Sequence, residues 1–226
     1  MTGAAVPPDN GAPPPPQDPP QVQSLRLLST LAIAGTIAGT MLVFVYEATQ
    51  PSIQAYKAEV LRQAIAEVLK TPDRYDTLFV HDGRLMDDVP NGSSADEFEQ
   101  VYLGYSAQRP VGFAIAAGKL GFQDIVRIIF GYDPNTNAIL GMKVLESKET
   151  PGLGDKIEKD LDFVAQFDGA VPELIGVKRN RRTGAANEID MITGATISSR
   201  TIIQIINETL ERLGPLLEGY NGIAGR

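Results

Sequence analysis

Residues 190–199 read Asp190-Met191-Ile192-Thr193-Gly194-Ala195-Thr196-Ile197-Ser198-Ser199. Beyond them, Ile197, Ile202, Ile205, Ile206, Leu210 and Leu213 fall mostly at helical i, i+3, i+4 spacing. That spacing predicts an amphipathic helix, which Gly214-Pro215 should stop. Thr196 then sits at or just before the helix N-terminus, where threonine is a favoured cap. The unpaired N–H groups of a first helical turn suit a phosphate. Such an attraction is worth roughly 0.3–1 kcal/mol when exposed and up to ~2 kcal/mol when partly buried. Micromolar binding needs about 8 kcal/mol. A helix end alone would therefore not hold a phosphorylated ligand, and a deep pocket or a covalent bond must supply the rest. Gly194 and Ala195 have almost no side chain, so they leave the Thr196 hydroxyl open to a modifying enzyme and let backbone approach a phosphate. The plain alternative is an ordinary helix start after a glycine turn.

A second segment lies upstream: Glu146-Ser147-Lys148-Glu149-Thr150-Pro151-Gly152-Leu153-Gly154-Asp155-Lys156. Two glycines around a leucine, just after a proline, make a tight loop whose amides can face a ligand. Alone, such a loop is most simply a turn. Together the two segments resemble the FMN-binding domains of the RnfG and NqrC subunits. In that family Asp-x-x-Ser/Thr-Gly-Ala-Thr is where a flavin transferase esterifies the phosphate of FMN to the threonine hydroxyl. Glu-Thr-Pro-Gly-Leu-Gly is a hallmark that lies against the flavin, and both occur here in the expected order. The run Ile139 to Leu145 and the stretch Gly118-Lys119-Leu120-Gly121-Phe122 are also similar to the family.

The resemblance covers the chain from the membrane segment nearly to the C-terminus, and it implies specific roles. Thr196 would carry covalent FMN through a phosphoester. Asp190, Thr193, Gly194 and Ala195 would form the transferase recognition element and part of the pocket. Glu149, Thr150, Gly152, Leu153 and Gly154 would line the isoalloxazine side. Neither Glu149 nor Asp155 is given a proton-transfer role, and their carboxylates are read as structural caps. The chain would be an electron carrier in the Rnf complex, a membrane assembly that passes electrons between ferredoxin and NAD and couples this to ion movement. Its partners would be the complex's other membrane, flavin and iron–sulfur subunits, with no independent catalysis. Its tail would lie inside and its FMN domain on the extracytoplasmic, periplasmic side of the cytoplasmic (inner) membrane. NqrC of the sodium-translocating quinone reductase shares both motifs, but its chains run longer between anchor and flavin threonine. A non-redox membrane-tethered scaffold is a reading of another class, as is a flavin-sensing regulator. The first would not need the whole Asp190 to Thr196 pattern, and the second would usually carry more membrane spans or cysteine-rich clusters.

Composition narrows the chemistry. The chain has 226 residues and a formal net charge of −8, which allows one sizeable domain with appendages and argues against a nucleic-acid partner. The one basic run, Lys178-Arg179-Asn180-Arg181-Arg182, reads as a solvated hairpin loop, with a place near the flavin phosphate or an acidic partner as the alternative. No cysteine is present, so the chain itself forms no disulfide, thiolate zinc site, cysteine-ligated iron–sulfur cluster or Cys-x-x-Cys-His haem site. His81 is the only histidine and sits where a strand should end in a turn, so no metal site is expected.

Residues 1–24 are rich in Pro, Gly and Gln and should be a disordered or extended tail. Residues 25–47 contain the uncharged run from Leu27 to Tyr46, about 20 residues, the span of a hydrocarbon core. A cleaved signal peptide is the rival reading, but its leading segment would be more basic than the lone Arg26. Gly35-x-x-x-Gly39 either seats a neighbouring helix or is chance. Pro51 should open a second, juxtamembrane amphipathic helix within residues 48–70, with Ile53, Tyr56, Val60, Ala64, Ile65 and Val68 on one face. Thr71-Pro72-Asp73 should end it. From residue 71 to 226 the pattern predicts one α+β domain with a mainly antiparallel sheet and flanking helices. Strands are expected at Gln100–Ser106, Val111–Ala117, Ile125–Tyr132 and Ala138–Leu145. Gln108-Arg109-Pro110 and Asp133 to Asn137 supply turns between them. Ile157–Phe167 should be helical, and Glu188–Ile192 a last strand leading to Thr196.

Overall fold

The structure, a computed structural model, describes Gly3, residues 21–90 and residues 92–220. Most of the expected 1–24 tail lies outside the described residues. Its last four positions already belong to the first helix, α1 (Gln21–Val68).

Alternation along the strands decides how the folded unit, which begins at Tyr56, is layered. In β3 (Glu99–Ser106), β4 (Arg109–Leu120) and β5 (Ile125–Asp133), the residues Val101, Leu103, Phe113, Ile115, Ile128 and Phe130 point one way. They pack with Ile202, Ile206 and Leu213 of the last helix, α4 (Thr196–Glu218). The intervening Tyr102, Ala114 and Ile129 point the other way, onto Ala64, Ile65, Val68 and Leu69. Both faces are therefore apolar, and each is covered by a helix. The remaining strands are β1 (Arg74–His81), β2 (Arg84–Met86) and β6 (Ala138–Glu146). They complete a six-stranded sheet in the order β2-β1-β3-β4-β5-β6, antiparallel throughout. Gly131 lets the end of α1 lie against the sheet, since a Cβ there would stand 2.4 Å from the Val68 carbonyl oxygen.

The N-terminal unit ends at Ala55 and consists of the first part of α1. Leu27, Leu31, Ile37, Leu42 and Phe44 are exposed around this helix, and it is long and apolar enough to cross a membrane. The Thr30 and Thr36 hydroxyls donate to the Arg26 and Ala32 carbonyls at 2.8 Å, so these polar groups would not be left unpaired in hydrocarbon.

Several expectations change. The helix does not restart at Pro51 but runs through it. Proline removes one N–H from the ladder, and the helix on both sides continues regardless. The domain begins at Tyr56 rather than residue 71, because Ala64, Ile65 and Val68 are core residues of the sheet. Gly214-Pro215 does not stop α4, which continues to Glu218; burial of Leu213 and Leu217 holds the last turn on the core. The single helix expected over Ile157–Phe167 is two short ones, α2 (Lys156–Lys159) and α3 (Leu161–Ala165). Asp160 divides them by leaving helical geometry and accepting the Phe163 N–H at 3.1 Å. The first turn expected at Gln108-Arg109-Pro110 falls on Ala107 and Gln108, both with positive φ, and Arg109 and Pro110 open β4. His81 ends β1, edge-on to the Phe98 ring at 5.2 Å.

Candidate functional site

Two short strands, β7 (Ile175–Val177) and β8 (Glu188–Asp190), run parallel with Val177 opposite Asp190. Sequence alone suggests a hairpin and a strand reaching Ile192. Parallel pairing sends both chains out at the same end. Lys178 and Arg179 therefore leave beside Met191, whose N–H donates to the Val177 carbonyl at 2.9 Å. The basic run is a 3-10 turn, Arg179–Arg181.

The chain then turns into α4. Gly194 has φ +87°, a conformation that a side chain disfavours. The Ala195 N–H donates to the Ile192 carbonyl at 3.1 Å. Ser199 pins the turn from inside the helix: its hydroxyl donates to the Ala195 carbonyl at 2.9 Å and accepts the Ile192 N–H at 3.2 Å. Ala195, not Thr196, holds the cap position, and no side chain caps the helix. Thr196 is the first helical residue. It is half-buried, and no hydrogen bond engages its hydroxyl among the described residues.

The Glu149 carboxylate ties three segments together. It is buried rather than open to a ligand. Its Oε1 accepts the N–H groups of Phe122 at 2.8 Å and Gln123 at 3.1 Å, and its Oε2 accepts the Ser198 hydroxyl at 2.6 Å. One carboxylate thus joins the glycine loop, the turn between β4 and β5, and the head of α4. Gly154 serves the same packing: a Cβ there would stand 2.6 Å from Glu149 Oε2 and 3.2 Å from Ser198 Oγ. Neither residue lines an open ring site. Within the loop, the Thr150 carbonyl accepts the N–H groups of Leu153 and Asp155, at 3.1 and 3.3 Å. Gly152, at φ +78°, faces open space. Leu153 remains 49% exposed, with its Cδ2 3.5 Å from where a Cβ on Gly194 would sit. Of the five loop residues, Leu153 therefore best suits contact with a flat ring beside Thr196. Asp155 makes no cap. Its bond to the Lys159 ammonium at 2.7 Å holds its carboxyl below the ordinary range.

Asp190 is fixed differently. Its N–H donates to Gln166 Oε1 at 2.6 Å, and its Oδ2 accepts from Arg179 Nε at 3.0 Å. Its Oδ1 is buried without a partner. Two cavities adjoin here and share Arg179, Met191 and Thr193. The one lined by Thr196 measures about 480 Å³ and includes Lys178, Arg179 and Asn180. The other measures about 460 Å³ and includes Asp160, Asp162 and Asp190. These sizes fall in the range of small-molecule sites. A larger cavity, about 1090 Å³ between Tyr75, Tyr105 and Tyr220, contains none of the motif residues.

A threonine hydroxyl without a hydrogen bond among the described residues, adjacent cations and the exposed Leu153 and Ile197 fit a ligand with one anionic and one flat apolar end. FMN has that form. Sequence reading missed Ser198 as a partner of Glu149, although paired serines in a first helical turn are poor helix formers and signal side-chain bonding. It left the position of Lys178 and Arg179 open, because the parallel pairing that brings them here is a tertiary event.

Comparison with known proteins agrees. Residues 121–211 match the FMN-binding domain family. The chain is 32% identical over 212 residues to the G subunit of the ion-translocating oxidoreductase complex of Cereibacter sphaeroides, covering 91% of this chain and 90% of that one. It is 27% identical over 182 residues to the G subunit of the Na(+)-translocating ferredoxin:NAD(+) oxidoreductase complex of Acetobacterium woodii, covering 80% and 87%. Among solved structures, NqrC of Shewanella oneidensis superposes with a TM-score of 0.61 at 14% identity, covering 74% of this chain and all of that one, a likeness of fold. With these relatives matched over nearly their whole length, the chain belongs to the RnfG family.

Proposed function

We propose that this chain is the electron-carrying RnfG component of a membrane-bound ion-translocating ferredoxin:NAD oxidoreductase and bears FMN as a phosphoester on Thr196. One observation carries the reading: the Thr196 hydroxyl, inside the Asp190 to Thr196 motif, lines a ligand-sized cavity and makes no hydrogen bond among the described residues. When bound, FMN supplies the redox chemistry, and the protein holds and orients it. Thr196 is the anchor, and a flavin transferase would supply the flavin phosphate. Leu153 and Ile197, each about half exposed, would shield one side of the ring from water. Glu149 would hold the glycine loop against the head of α4, keeping Leu153 beside the anchor. Turnover would belong to the assembled complex with its other membrane, flavin and iron–sulfur subunits. α1 would anchor the chain in the cytoplasmic membrane, with the FMN domain on the extracytoplasmic side.

The test is a denaturing gel and an intact mass. Protein made in a host with the transferase should keep flavin fluorescence in denaturant and weigh one FMN adduct more than the bare chain. Thr196→Ala should lose both completely while its circular dichroism is unchanged. Retained fluorescence in that variant would move the attachment elsewhere, and an unmodified mass in the parent protein would favour the scaffold reading.

A further inference from the structure

The two cavities beside Thr196 differ in charge. The one that Thr196 lines contains Lys178 and Arg179 and no carboxylate. Its neighbour contains Asp160, Asp162 and Asp190 beside Arg179 and Arg182. An anion attached at Thr196 is repelled from the second and attracted to the first. Lys178 is the more telling of the two cations. Lys70, Lys119, Lys143, Lys148 and Lys159 each reach a carboxylate. Lys178 makes no ion pair among the described residues. Arg179 commits Nε to Asp190, and no hydrogen bond occupies its terminal nitrogens among the described residues. Leu153 and Ile197, both apolar and half exposed, line neither cavity, and Leu153 Cδ2 stands 3.5 Å from where a Cβ on Gly194 would sit. The cations thus share the cavity of Thr196 where the chain leaves β7, while the glycine loop brings the apolar Leu153 beside Gly194.

We infer that Lys178 and Arg179 form the phosphate subsite, holding the phosphoester on the β7 side of Thr196 so that the flavin ring is directed toward Leu153. This rests on the covalent-flavin reading above. Charge-assisted hydrogen bonds from these side chains would fix the phosphate oxygens. They would thereby take up rotational freedom about a linkage that a single ester bond leaves loose.

Phosphorus NMR of the full-length, flavinylated protein in detergent tests this. The phosphodiester resonance should shift in Lys178→Gln, return toward its original position in Lys178→Arg, and shift further in the Lys178→Gln, Arg179→Gln double variant. Lys156→Gln should leave it unmoved, since Lys156 makes no ion pair among the described residues either but lines neither cavity. Lys178→Gln spares the Asp190 ion pair, so its outcome is not confused with loss of that contact. A protein-bound resonance that stays in place in both glutamine variants would overturn the subsite and leave the covalent reading intact. Absence of any protein-bound phosphorus signal would overturn both.

Discussion

The glycine loop and the threonine turn each carry one motif carboxylate, and the two are treated in opposite ways. Glu149 is buried and saturated, with two backbone N–H groups and the Ser198 hydroxyl on its oxygens. Asp190 has one oxygen on Arg179 and the other buried without a partner. Buried polar groups in folded proteins are nearly always paired, so the first carboxylate reads as framework, while the unpaired oxygen of the second is matched among the described residues by Asp155 Oδ1.

The largest effect on stability should come from breaking the framework. Glu149→Ala strands three donors, and urea unfolding should register a loss of roughly 2–4 kcal/mol. A loss below about 0.5 kcal/mol would mean that the tie is not holding the fold. Next is Gly154→Ala, whose new methyl would press on Glu149 and Ser198. It should cost roughly 1–3 kcal/mol by overpacking, read from the same denaturation curves. Smallest is Asp190→Asn, which breaks a pair whose arginine is 88% exposed. Its stability cost should stay under about 1 kcal/mol, while the flavinylated fraction by intact mass should fall. If Asp190→Asn unfolds the domain as Glu149→Ala does, the contrast between the two carboxylates is wrong.

Much of the domain was legible. Val101, Leu103, Phe113, Ile115, Ile128 and Phe130 alternate with residues of the opposite face, and alternation of that kind marks strands without further help. The start of α4 was legible from its own helical spacing of apolar residues. Other features depend on contacts distant in sequence. Pro51 and Pro215 look like punctuation, yet both sit inside helices; buried Leu213 and Leu217 hold the turn around Pro215, whereas the helix around Pro51 is exposed. The parallel register of Val177 with Asp190 has no sequence signature, and it alone brings Lys178 to Thr196. A structural role for the Glu149 carboxylate was legible, but its partners Phe122, Gln123 and Ser198 were not, because proximity to a motif says nothing about which way a carboxylate turns.

The carboxylate tie also sets an order of events. Glu149 meets Phe122 and Gln123 on one side and Ser198 on the other, segments that come together only after the sheet has closed and the last helix has docked. A newly made chain would display the same acceptor hydroxyl without its rigid mount. With Thr196 as the proposed attachment point, its mount would be complete only in the folded domain, and cofactor loading would serve as a certificate that the domain has matured.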